Sequence, residues 1–161
     1  MKRVLSLLLL SVFVLSGCGS VSGSSELSAF VDDFNQSARK YDATELIDSE
    51  FGEIETEDGE SWKNLFESNE YSIDALYDGS DVIGYYINVE SDTTSIDKNG
   101  KGYNAVLTLA DTLGLKTSDL EKGMQEAFNE NFYDYEDGDY NVRISVINVV
   151  SASMSITIEE K

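Results

Sequence analysis

The chain has 161 residues, 31 of them acidic and 11 basic, no histidine, no proline and one cysteine, for a formal charge of −20. These counts exclude a Ser-His-Asp triad, imidazole metal ligands, a structural disulfide and a polybasic surface for nucleic acid. They leave one acidic core of ordinary domain size, whose turns must rest on Gly, Asp, Asn and Ser.

The chain opens with Lys2 and Arg3, followed by an apolar run from Val4 to Leu15 broken only by Ser6 and Ser11. That run is about 12 residues, too short for a spanning helix of roughly 20. A basic start, a short apolar stretch and small residues at its end form the layout of a secretory signal peptide. The small residues are Ser16 and Gly17, directly before the lone Cys18. Leu15-Ser16-Gly17-Cys18 resembles the lipobox of bacterial lipoproteins. The resemblance covers the first 18 residues and implies cleavage before Cys18 and a diacylglyceryl group on its thiol. It implies a protein held at the extracytoplasmic face of a cell membrane by acyl (palmitate) chains. Burial of such chains contributes about 0.8 kcal/mol per CH₂, and two chains anchor stably where one barely does. An ordinary cleaved signal with a chance cysteine is the alternative.

Cleavage removes Lys2 and Arg3 and no acid, so the mature charge becomes −22. Such a domain is repelled by anionic lipid within a Debye length of about 8 Å, so the lipid and not electrostatics would hold it. Gly19 to Ser25 is a Gly/Ser tether with an r.m.s. span of ~15 Å. The expected organisation is a signal peptide over 1–17, lipidated cysteine and tether over 18–25, and one acidic domain over 26–161.

Within that domain, Ser25 to Tyr41 reads as a helix. Leu27, Phe30, Val31, Phe34, Ala38 and Tyr41 form one apolar stripe, Ser24 or Ser25 can cap it, and Arg39 and Lys40 suit its last turn. Strands follow over 44–91, with a turn at Asp58-Gly59 and a hairpin around Asp78 to Asp81. Trp62, Leu65 and Phe66 fit either a strand or a helical turn. Residues 92–102 form a polar loop. Tyr103 to Leu113 reads as a buried helix ended by Gly114. Ser118-Asp119-Leu120-Glu121 has the pattern of a capping box opening a helix to about Asn131. Tyr133 to Asn141 reads as a turn, and alternation over Val142–Val146 and Met154–Ile158 gives two strands of one sheet. Their connection near Asn148 to Ser151 lacks glycine. No internal repeat is visible. Segregated helices and strands predict an α+β fold, an antiparallel sheet with helices packed on one face.

The residue clusters with chemical potential are few. Asp134, Glu136, Asp137 and Asp139 lie within six residues, and oxygen ligands at that spacing suit Ca²⁺. The EF-hand pattern fails there, because positions six and twelve are Asp139 and Ser145. As a solvated hairpin tip these acids would be interchangeable with amides. Asp97, Asn99 and Gly102 also begin like a calcium loop, but Lys101 occupies a ligand position and Thr108 ends it. Tyr85 and Tyr86, adjacent in a strand, point to opposite faces, so one of them is a candidate for an interface. The expected function is a non-catalytic, membrane-anchored binding module. It has no cofactor and no nucleic-acid partner. It is expected to be monomeric, held to the membrane by its lipid and free to engage another envelope protein. A cation- or solute-binding lipoprotein using the 134–139 acids is the alternative. A carboxylate hydrolase would need a cleft holding two acids with opposed pKa shifts.

Overall fold

The computed structural model describes residues 22–41 and 45–161; the expected signal peptide and lipobox, with Cys18, lie outside the described residues. Three helices cover one face of a seven-stranded sheet in which every neighbouring pair is antiparallel. In chain order these are α1 (Ser22–Ala38), β1 (Glu55–Glu57), β2 (Glu60–Glu67), β3 (Tyr71–Asp78), β4 (Asp81–Ser91), α2 (Lys101–Thr112), α3 (Thr117–Glu130), β5 (Phe132–Asp137), β6 (Tyr140–Asn148) and β7 (Ala152–Glu160). The spatial order is β1-β2-β3-β4-β7-β6-β5. Two meanders, β2-β3-β4 and β5-β6-β7, therefore meet through their last strands, and α2 with α3 makes the crossing between them. This is the α+β architecture expected from the sequence.

Period-two patterning sets the two faces. Tyr71, Ile73, Ala75 and Tyr77 of β3 are buried under the helices, as are Val142, Ile144 and Val146 of β6 and Met154, Ile156 and Ile158 of β7. Their neighbours Ser72, Asp74, Ser153, Ser155 and Thr157 look out on the uncovered face, half-buried. One face wet and one covered is what an antiparallel sheet tolerates. The stripe on α1 is as expected up to Ala38: Leu27, Phe30, Val31, Phe34 and Ala38 are buried, and Phe30 stacks on Tyr85 at 3.9 Å, whereas Tyr41 lies beyond the helix end and is half-buried.

Several boundaries differ from expectation. Helix α1 begins at Ser22, so Ser24 and Ser25 fall inside it instead of capping it, and its first turn uses residues assigned to the tether. It ends at Ala38, leaving Arg39 and Lys40 beyond the last turn. The Lys40 ammonium instead pairs with Asp111 of α2 at 2.8 Å, which lowers the Asp111 pKa. Helix α2 starts two residues early, at Lys101, because Gly102 lets it approach the sheet. A Cβ there would lie 2.5 Å from Val89 Cγ1. Its end is as predicted: Gly114 takes φ 71°, Leu115 N–H donates to Ala110 O at 2.8 Å and Gly114 N–H to Asp111 O at 3.2 Å, a Schellman closure with Leu115 buried behind it.

The ambiguous Trp62, Leu65 and Phe66 lie in β2, and the reason for the ambiguity is a bulge. The register with β3 slips between Asn64 and Phe66, so Leu65 is an extra, buried residue that interrupts the alternation. A second bulge falls in β4: Leu76 pairs with Gly84 and Tyr77 with Val82, leaving Ile83 unpaired.

The strand directions give the sheet two ends. Asp78, Asp81, Tyr140 and Glu160 mark one end, which is also where α1 starts: burial raises the phenol pKa of Tyr77, Tyr85 and Tyr140, and the nearby Glu26 carboxylate adds to the rise in all three. Tyr71, Ser91, Asn148 and Ala152 mark the other end. The nine residues of β7 put about 27 Å between them.

Candidate functional site

The four acids expected to share one turn are divided between different environments. Phe132 to Asp137 is strand β5, the edge of the sheet, and only Gly138 and Asp139 remain as a two-residue turn. The turn expected over this stretch is thus confined to two residues, although acids are poor strand formers. Pairing to β6 and the packing of Tyr133 and Tyr135 over Gly123 of α3 overrode that preference. Asp134 and Glu136 point to the uncovered face. Asp134 pairs with Arg143 at 3.4 Å, and Glu136 with Lys161 at 2.7 Å, which lowers the Glu136 pKa.

Asp137 points the other way and is only 8% exposed. Its carboxylate accepts the backbone N–H of Lys116 at 2.7 Å, with the Lys116 ammonium 3.8 Å away. Lys116 is the residue before α3, so the expected capping box does not form: α3 opens at Thr117 with no side-chain cap, Ser118 is inside it, and Glu121 accepts the Tyr103 hydroxyl at 3.0 Å. Asp137 thus supplies from the β5–β6 hairpin what Glu121 was expected to supply locally. Among the described residues no group of three or more Cys, Asp or Glu is arranged to hold a metal ion.

Asp137 and Asp139 are therefore not equivalent. Asp137→Ala removes a part-buried hydrogen bond to a charged acceptor and is expected to cost about 1–3 kcal/mol, whereas Asp139→Asn should stay within about 0.5 kcal/mol. Urea unfolding of both variants measures the difference, and equal midpoints would refute the role given to Asp137.

The 97–104 stretch folds as a turn leading into α2. Asp97 accepts the Asn99 N–H at 2.9 Å through its carboxylate and the Gly100 N–H at 2.9 Å through its carbonyl, and Gly102 packs on Val89. Of the adjacent tyrosines, Tyr85 is buried against Phe30, and Tyr86 is half-buried on the uncovered face. There Tyr86, Leu76 and Ile83 line a shallow groove of about 410 Å³ at the Ile83 bulge, next to Gly84. An isolated glycine in a strand pattern is the signal that marks such a bulge.

A larger cavity, about 550 Å³, opens at the end of the sheet away from the start of α1. Glu70 from the β2–β3 turn, Glu90 from β4, Asp92 and Asp97 from the following loop, and Ser151 and Ser153 from the β6–β7 hairpin line it. No basic residue lines it, and none of the four acids is in an ion pair among the described residues. Beside it the β6–β7 tip exposes Ile147, Val149 and Val150, at 67%, 83% and 85%.

Carboxyls with displaced pKa values are scattered. Burial raises Asp74 on β3, against the lowering effect of its hydrogen bond from Asn64, whereas Asp111 on α2 and Glu136 on β5 are lowered by Lys40 and Lys161. No described helix is long and apolar enough to cross a membrane. No family model, curated protein or solved structure matches the chain.

Proposed function

We propose that the protein is a non-catalytic bacterial lipoprotein, tethered through Cys18 to the outer face of the membrane, whose acidic domain binds another component of the cell envelope. The observation that carries this reading is Leu15-Ser16-Gly17-Cys18 at the end of a short apolar run, on the only cysteine of the chain. Helix α1 begins at Ser22, four residues after Cys18 in the sequence, at the sheet end marked by Asp78, Asp81, Tyr140 and Glu160. With Cys18 as the anchor, this nearness in sequence supports an arrangement in which the sheet end at the start of α1 is towards the bilayer and the other end outward. The non-catalytic part of the reading is supported by the lack of histidine and of any thiol besides Cys18. The placement of the three displaced carboxyls on three separate elements supports it too.

Cys18→Ser tests the anchor. The unaltered chain, expressed in a bacterial host, should stay with membranes through a high-salt wash and incorporate labelled palmitate. The variant should do neither. A variant that remains membrane-bound after the wash would overturn the lipoprotein reading.

A further inference from the structure

We propose that the outward end of the domain is a docking surface for a basic segment of another envelope protein, one that presents Lys or Arg beside aliphatic side chains. The inference deepens the binding reading above and rests on it, but the surface is built from residues 70–153 alone. Its first element is the β6–β7 tip. The other hairpins turn on polar residues, three of them with glycine: Asp58-Gly59, Ser68-Asn69-Glu70, Gly79-Ser80 and Gly138-Asp139. The β6–β7 connection instead places Val149 and Val150 in solvent, with Ile147 beside them, the three most exposed large hydrophobic residues described. β-Branched residues are poor turn formers, and neither valine packs on the core, so fold stability does not account for them. An exposed aliphatic patch rimmed by polar groups is the signature of an interaction site.

The second element is what surrounds the patch. Ser151 and Ser153, directly after the valines, form one wall of the 550 Å³ cavity, and Glu70, Glu90, Asp92 and Asp97 supply four carboxylates, of which only Glu70 feels a nearby cation, the Lys101 ammonium that is already paired with Glu45. Charge complementarity selects the occupant. An anionic bilayer would be repelled, and the patch lies about 27 Å from the anchored end. A second copy of the chain would bring the same four acids and the same net charge to the contact. A cationic segment with aliphatic flanks satisfies both elements: its side chains reach into the cavity while its apolar residues cover the valines.

The test uses the full chain as isolated from the expressing host, in dodecyl maltoside micelles, with the labelled probe peptide acetyl-Leu-Arg-Leu-Arg-Leu-amide, read by fluorescence anisotropy. Glu90→Gln with Asp92→Asn should weaken binding roughly tenfold, and Val149→Ser with Val150→Ser should weaken it by a similar factor. All four residues are exposed, so folding is unaffected. Asp134→Asn with Glu136→Gln removes the same charge from β5 and should change affinity less than about twofold. Equal losses in the two charge variants would mean non-specific attraction to an acidic protein and would overturn the proposal. So would unchanged affinity in the valine variant, or a dimer in sedimentation that the valine variant abolishes. The micelle assay reads binding without reference to lipidation, so its failure is separable from a failure of the Cys18→Ser test.

Discussion

Gly84→Ala is expected to be among the most damaging single-methyl additions this chain can receive. A Cβ at Gly84 would sit 2.2 Å from Ile158 O and 2.9 Å from Glu159 Cα. Both are backbone atoms of β7, the strand through which the two meanders join. A flexible side chain could swing away from such a contact, but a ladder strand moves only by breaking its own hydrogen bonds. The bulge at Ile83 is what brings β4 so close, and only glycine permits it. The expected cost is at least about 3 kcal/mol, the upper part of the overpacking range, against a total stability of roughly 5–15 kcal/mol. Gly52→Ala is the control, since a Cβ there meets nothing within 4 Å and its φ is ordinary. Thermal melts of the two variants should differ by many degrees. Matching melts would mean that β4 and β7 do not approach as described.

Ile156→Asp should abolish folding while Thr157→Asp leaves it nearly intact. Ile156 is fully buried in β7 between Ile87 of β4 and Ile144 of β6. A carboxylate there has no partner, and burying it costs several kcal/mol whether it ionises or takes up a proton. Thr157, one residue on, pairs with Tyr86 and Arg143 on the uncovered face, where water and a cation are at hand. The period of two along a strand makes this a test of register. Circular dichroism of the two proteins reads it directly, and comparable folding in both would refute the assignment of faces.

The bulges show why some elements were harder to read than others. Helix α1 and strands β3, β6 and β7 carry unbroken periodicity, and their buried residues are those the pattern selects. In β2 the extra Leu65 shifts the phase midway, so neither a strand nor a helix template fits throughout. Strand β5 was hidden for another reason. Its acids disfavour a strand, and its order comes from pairing with β6 and from Tyr133 and Tyr135 packing across Gly123. The start of α3 was misread because a local pattern, Ser118 to Glu121, has the right residues for a cap that a distant carboxylate, Asp137, makes unnecessary.

By itself the sequence determined the fold class, the faces of the long elements and the glycine closure of α2, because each depends on periodicity or on a backbone angle within a few neighbouring residues. The proposed anchor on Cys18 rests on the sequence too, through Leu15-Ser16-Gly17-Cys18, a purely local pattern that resembles a lipobox. Only the tertiary structure decided that the four acids of 134–139 separate to three environments, that Asp137 closes the start of a helix 21 residues away, and that Glu70, Glu90, Asp92 and Asp97 converge beside the valine tip. These facts depend on strand order and on which edges meet. Pairings between residues far apart in the chain are set by the summed burial of the whole sheet, which no local window contains.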